Sequence, residues 1–144
     1  VRTEVAGVPL VVLRDGEGRL RAFHNVCRHR AGPLVRCDGR GARSLRCAYH
    51  GWTYGLDGAL RAAPQMREAA GFDPGSVRLP EARAERFGPL VFVALRDDVP
   101  PLAVLLDGIA ERARANGFDR LAYHERQSWE LACNWKVYVD NFLE

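Results

Sequence analysis

Cys27-Arg28-His29 and Cys47-Ala48-Tyr49-His50 decide how this chain is read: each stretch offers one thiolate and one imidazole, with seventeen residues between them. A mononuclear zinc site ordinarily takes its thiolates as a closely spaced pair from one loop and its histidines from a helix. Two mixed pairs suit a cluster of two irons instead, one held by both cysteines and the other by both histidines. Cys27 and Cys47 are therefore expected to bind the first iron of a 2Fe-2S cluster, and His29 and His50 the second. Neutral imidazoles in place of two thiolates remove negative charge from the reducible iron and raise its potential to between about −150 and +300 mV.

The residues beside the ligands refine this expectation. Gly32 and Gly51 follow the two pairs and let backbone N–H groups approach the cluster sulfurs without a Cβ in the way. Trp52 stands where a serine could aim a hydroxyl at a sulfur, so the potential is expected at the low end of the range. Six arginines (28, 30, 36, 40, 43 and 46) against the single acid Asp38 make the surrounding loops electropositive. His24 and His124 have no partner at ligand spacing and read as ordinary strand residues. Cys37 and Cys133 are left over as free thiols, which points to a reducing cytoplasm.

Working outward, Val8 to Arg14 and Arg19 to Val26 read as a hairpin about Asp15-Gly16-Glu17-Gly18. Ser44 to Tyr54 reads as a second hairpin-like stretch, closing on Asp57-Gly58, so that both metal-bearing loops sit at hairpin ends. Ala62 to Ser76 reads as surface loop. Val77 to Glu85 and Pro89 to Arg96 return to strand, the second continuous enough in apolar residues to be buried on both faces. Leu102, Leu105, Leu106, Ile109 and Ala113 predict one amphipathic helix ending at Asn116-Gly117. Leu121 to Ala132 is then expected as a strand, and Asn134 as the cap of a final helix.

Composition excludes several classes. With 47% apolar and 27% charged residues the chain is of ordinary globular type. No apolar run reaches the roughly 18 to 20 residues that span a bilayer. Val1 to Gly7 lacks the features of a signal peptide and reads as a strand already under way. Only Lys136 among the 21 basic residues is lysine, and the arginines are not interleaved with aromatics, so neither nucleic acid nor membrane is expected as a partner.

With these residues in hand, Phe23 to Arg30 and Cys47 to Tyr54 resemble the alpha subunit of Rieske non-haem iron ring-hydroxylating oxygenases. Ala48 departs from the proline common there. Asn134-Trp135-Lys136-Val137-Tyr138-Val139-Asp140-Asn141-Phe142-Leu143-Glu144 is similar to the stretch that opens that family's catalytic domain. The resemblance implies a mainly β Rieske domain of antiparallel sheets over residues 1–100. The opening helix, strand and helix of an α+β catalytic domain would follow over 101–144, stopping before the histidines that bind mononuclear Fe(II). It further implies electrons from NAD(P)H through a reductase or ferredoxin, an aromatic or quaternary-amine substrate, and a trimer or an alpha/beta assembly. Glu144 matches the acid that bridges a cluster histidine and an iron ligand between subunits. Two rivals stay open: a free-standing Rieske electron carrier, which gives Asn134 to Glu144 no purpose, and a structural zinc module.

Overall fold

The computed structural model describes residues 1–66 and 68–143. Among the described residues, eight short strands form two antiparallel sheets. Strands β1 (Arg2–Val5), β2 (Val8–Arg14), β3 (Leu20–His24), β7 (Glu81–Phe87) and β8 (Leu90–Ala94) lie in that order in the larger one. Strands β4 (Leu45–Arg46), β5 (Thr53–Tyr54) and β6 (Leu60–Ala62) make the smaller.

The turn between β2 and β3 is built on Asp15. Its carboxylate, 3% exposed, accepts from the Glu17 and Arg19 N–H groups and from the Nε of Arg19 and of Arg21. Arg21 continues to Glu81 on β7, tying the turn to the far side of the sheet. Burial pushes the Asp15 carboxyl up, but the Arg19 backbone N–H, the two guanidiniums and the Glu17 N–H outweigh it and hold the group down at about 2. A carboxylate depressed in the folded state stabilises the fold above its unfolded value near 3.8, and that contribution disappears as pH falls towards 2. Asp15→Asn should therefore melt several degrees below wild type at neutral pH, with the gap closing between pH 4 and 2. Parallel melting curves that keep a constant gap to pH 2 would contradict this origin.

Both faces of the large sheet are covered near its centre. Val11 and Phe23 face a core shared with the small sheet, which also holds Cys27, Leu34, Leu45, Cys47, Trp52, Tyr54, Leu60 and Leu79. Their neighbours Leu10, Ala22 and Ala82 pack on the opposite face. The chain crosses from one sheet to the other after β3, so the loop carrying Cys27 is this crossover and not a hairpin end. Only the loop carrying Cys47, between β4 and β5, caps a hairpin.

Three expectations fail beyond the core. Strand β8 is an edge strand with Leu90, Val91 and Phe92 exposed, because β7 covers one side only and nothing described pairs with the other. The single helix is broken into α1 (Leu102–Leu105) and α2 (Ile109–Ala115) by Gly108, whose φ of 72° cannot continue a right-handed helix. Leu121 to Ala132 forms no strand. Its backbone makes only local bonds, from the Leu121 N–H to the Phe118 carbonyl and from the Cys133 N–H to the Leu131 carbonyl, and among the described residues no strand lies beside it, so the alternating pattern has no ladder to join. Helix α3 (Trp135–Leu143) forms as expected, with the Asn134 side chain accepting from the Lys136 N–H.

Candidate cluster-binding site

The two ligand-bearing loops fold alike. The Cys27 N–H donates to the Gly32 carbonyl and the Cys27 carbonyl accepts from the Ala31 N–H. Twenty residues on, the Cys47 N–H donates to the Trp52 carbonyl and the Cys47 carbonyl accepts from the Gly51 N–H. Each cysteine thus sits at the mouth of a tight turn with its histidine inside the turn. Positive φ at Ala31 (54°) and Gly51 (73°) allows that reversal at the same step in both loops.

Both thiols are buried, Cys27 at 2% and Cys47 at 3% exposure, and neither is in a disulfide. His29 and His50 meet edge to face with ring centroids 4.6 Å apart. The His29 Nδ1 is buried without a hydrogen-bond partner, which is the expected state of a nitrogen whose partner is a metal. Burial, then the charges of His50 and Arg30, hold the His29 imidazole below its ordinary pKa and so favour the neutral form that ligation needs. A Cβ on Gly32 would lie 3.4 Å from the Cys47 sulfur, so the first loop closes directly over the second loop's thiol.

The fold adds groups that motif spacing did not reveal. Tyr54, fully buried on β5, has its hydroxyl 3.3 Å from the Cys27 sulfur while accepting from the Arg28 N–H at 3.1 Å. With its lone pair engaged, the hydroxyl proton is free to point at sulfur. Burial and then the contact with Cys27 push the Tyr54 pKa far up, so the donor keeps its proton. The position beside the ligand pair holds Trp52, so the motif shows no hydroxyl at a sulfur; the register of β5 supplies one from elsewhere. Such a donor stabilises the reduced, more negative cluster. Tyr54→Phe is expected to lower the potential by roughly 40 mV, equivalent to about 1 kcal/mol in a one-electron couple. A redox titration showing no shift would remove Tyr54 from this role.

Trp52, 4% exposed, stacks flat on His29 with centroids 4.9 Å apart and planes 5° apart, and Phe72 tilts against its edge at 5.6 Å. The loop over residues 62–76 therefore helps to pack the site. Tyr49 stacks on His50 at 3.8 Å while remaining 63% exposed, and His50 lies at the rim. The six arginines of residues 28–46 are all exposed and, among the described residues, none has an ion-pair partner. His24 lies on β3, half-buried, and His124 is exposed in the unpaired segment; neither joins the site. Glu144 lies outside the described residues.

This pairing of cysteine and histidine loops is matched at the level of families: residues 1–80 fit the Rieske [2Fe-2S] domain. The chain belongs to that family. A Rieske domain implies a 2Fe-2S cluster, and the buried thiols and the unpartnered imidazole nitrogen suit one. The chain is 38% identical over 97% of its length to choline monooxygenase of Beta vulgaris, of which it covers 32%. It is 32% identical over its whole length to the carnitine monooxygenase oxygenase subunit of Acinetobacter baumannii, covering 39% of that protein. Among solved structures it matches a quaternary ammonium Rieske monooxygenase in complex with L-carnitine. The TM-score is 0.87 at 32% identity, covering all of this chain and 42% of the other. A naphthalene 1,2-dioxygenase matches at TM-score 0.72 and 31% identity, over 79% of this Rieske chain and 26% of that one. The chain thus spans about a third of the curated relatives it matches. No described helix is long and apolar enough to cross a membrane.

Proposed function

We propose that this chain is the electron-transferring Rieske portion of an oxygenase alpha subunit. Cys27 and Cys47 would hold one iron, His29 and His50 the other, and when bound the cluster supplies one-electron storage and transfer. The observation that carries the reading is the pair of like-folded loops, each burying a thiol and bringing its imidazole to the other's. Around the cluster, Gly32 and Trp52 exclude water, Tyr54 holds a proton at the Cys27 sulfur, and Arg28, Arg30, Arg43 and Arg46 present positive charge to an incoming donor.

In the whole protein, electrons from NAD(P)H would arrive through a reductase or ferredoxin and serve O2-dependent hydroxylation at a mononuclear Fe(II) site. Residues 1–100 would form the Rieske domain, 101–144 the opening of the catalytic domain, and Glu144 the inter-subunit bridge in a trimer or an alpha/beta assembly. The exposed apolar residues of α3, among them Trp135, Tyr138 and Phe142, support this division, since they lack the covering that a catalytic domain would give. The names of the choline and carnitine relatives favour a quaternary-amine substrate over an aromatic one. The unpaired Cys37 and Cys133 suit a reducing compartment such as the cytoplasm.

The purified chain should be red-brown, contain about two irons and bleach on reduction. A colourless protein with one zinc would overturn the reading. Reduction by an acidic ferredoxin should slow with added salt, and Arg30→Glu or Arg43→Glu should slow it about tenfold at low salt. Stopped-flow rates indifferent to both would leave the arginines without a docking role.

A further inference from the structure

The two ligand loops are closed in different ways. The arms of the second, β4 and β5, pair with each other as Leu45↔Tyr54 and Arg46↔Thr53, so a backbone ladder fixes where Cys47 and His50 stand. The first loop has a strand on its incoming side only, β3. Beyond Gly32 no described strand begins until Leu45, and residues 33–43 make no backbone-to-backbone hydrogen bond with any described residue. An arm without a ladder must find partners elsewhere.

Asn25 provides them. Its carboxamide oxygen accepts from the Leu34 N–H at 3.0 Å and from the Val35 N–H at 2.9 Å, and its Nδ2 donates to the Val35 carbonyl at 2.7 Å. Three bonds thus fall on two successive residues of the outgoing arm, as a strand's would. Asn25 is 3% exposed, and its backbone N–H donates to the Pro9 carbonyl of β2, which anchors the clasp to the large sheet. Leu34 is buried in the core that holds both cysteines. Two residues before it stands Gly32, where a Cβ would lie 3.4 Å from the Cys47 sulfur. A shift of this arm therefore moves the first loop against the second loop's thiol.

We propose that Asn25 is a positioning residue for the cluster: its side chain stands in for the missing ladder and fixes the spacing of Cys27 and His29 from Cys47 and His50. A satisfied buried amide selects one backbone arrangement, because any other leaves two N–H groups and a carbonyl without partners. Asn25 makes no hydrogen bond to a ligand side chain and acts through the loop it clasps. The inference rests on the reading that the two loops grip two irons.

The test uses the cluster-loaded protein. In wild type, hydrogen exchange at the Leu34 and Val35 N–H groups should be about tenfold or more slower than at residues 36–43. Asn25→Leu keeps a side chain of similar size and removes all three bonds. After reduction it should lose iron to a ferrous chelator about tenfold faster than wild type, and the paramagnetic resonance of its reduced cluster should broaden as the ligand geometry spreads. Asp15→Asn weakens the opposite end of β2 and β3 without touching either loop; as the control for stability alone, it should keep the wild-type release rate and resonance. If Asn25→Leu matches Asp15→Asn in both, or if the Leu34 and Val35 amides of wild type exchange as fast as their neighbours, the proposal is overturned. Should Asn25→Leu fail to fold, the wild-type exchange rates still decide. Iron analysis of wild type judges the underlying reading separately, since protection of residues 34 and 35 is read whichever metal the loops carry.

Discussion

His50→Cys should retain both irons while its potential falls toward about −400 mV, the level of clusters held by cysteine alone. A thiolate in place of a neutral imidazole puts a full negative charge on the iron that accepts the electron. The site is shielded enough for that charge to count: the two thiols are almost wholly buried, and His29 stacks on the buried Trp52. His50 is the better of the two histidines for this exchange. It packs beneath the exposed Tyr49, whereas His29 lies flat on the buried Trp52 and is tied to the core through it. A redox titration followed by visible absorbance reads the shift directly. An intact two-iron spectrum with an unchanged or higher potential would show that His50 does not bind the reducible iron.

Gly58→Ala should be the most damaging small substitution outside the ligands. Gly58 closes the Asp57-Gly58 turn between β5 and β6 with φ at 83°, a conformation that costs an alanine about 1 kcal/mol or more. The added Cβ would also lie 2.6 Å from a ring carbon of Phe23, which is 1% exposed in the core shared with both cysteines. Phe23 is held between the sheets and cannot swing away without moving its neighbours. Strain and overpacking together should cost about 2 to 4 kcal/mol and lower Tm by roughly 10 °C. Gly16→Ala is the matched control in the other hairpin turn, because its Cβ would meet nothing within 4 Å and its φ is not positive. If thermal melts show the two variants equally stable, the Gly58 contact with Phe23 is not tight in solution.

The sequence was most legible where a few neighbouring residues decide the outcome. Asp15-Gly16-Glu17-Gly18 and Asp57-Gly58 turn the chain whatever surrounds them, since carboxylate capping and left-handed glycine act within four residues. The same is true of Asn134 at the start of α3. Reading failed where a pattern needs a distant partner. The apolar run Leu90 to Leu95 signals burial on both faces, yet the sheet order leaves it at an edge. Leu121 to Ala132 alternates like a strand, but alternation is a statement about one side chain after another and cannot provide the neighbouring ladder. Gly108 shows the reverse: a local residue in a left-handed conformation cut a helix that five well-spaced apolar residues predicted.

What the sequence singled out alone is the proposed donor set. Ligand type and spacing follow from covalent order, so Cys27, His29, Cys47 and His50 could be picked out as two mixed pairs before any fold was known. What only tertiary structure decided is the setting of those donors. The Tyr54 hydroxyl reaches a sulfur 27 residues earlier because β4, β5 and the crossover from β3 bring them together. Trp52 lies flat on His29 for the same reason. Spacing names which atoms can bind iron; the packing of two sheets sets the charge, burial and hydrogen bonds around them, and those terms tune an electron's energy.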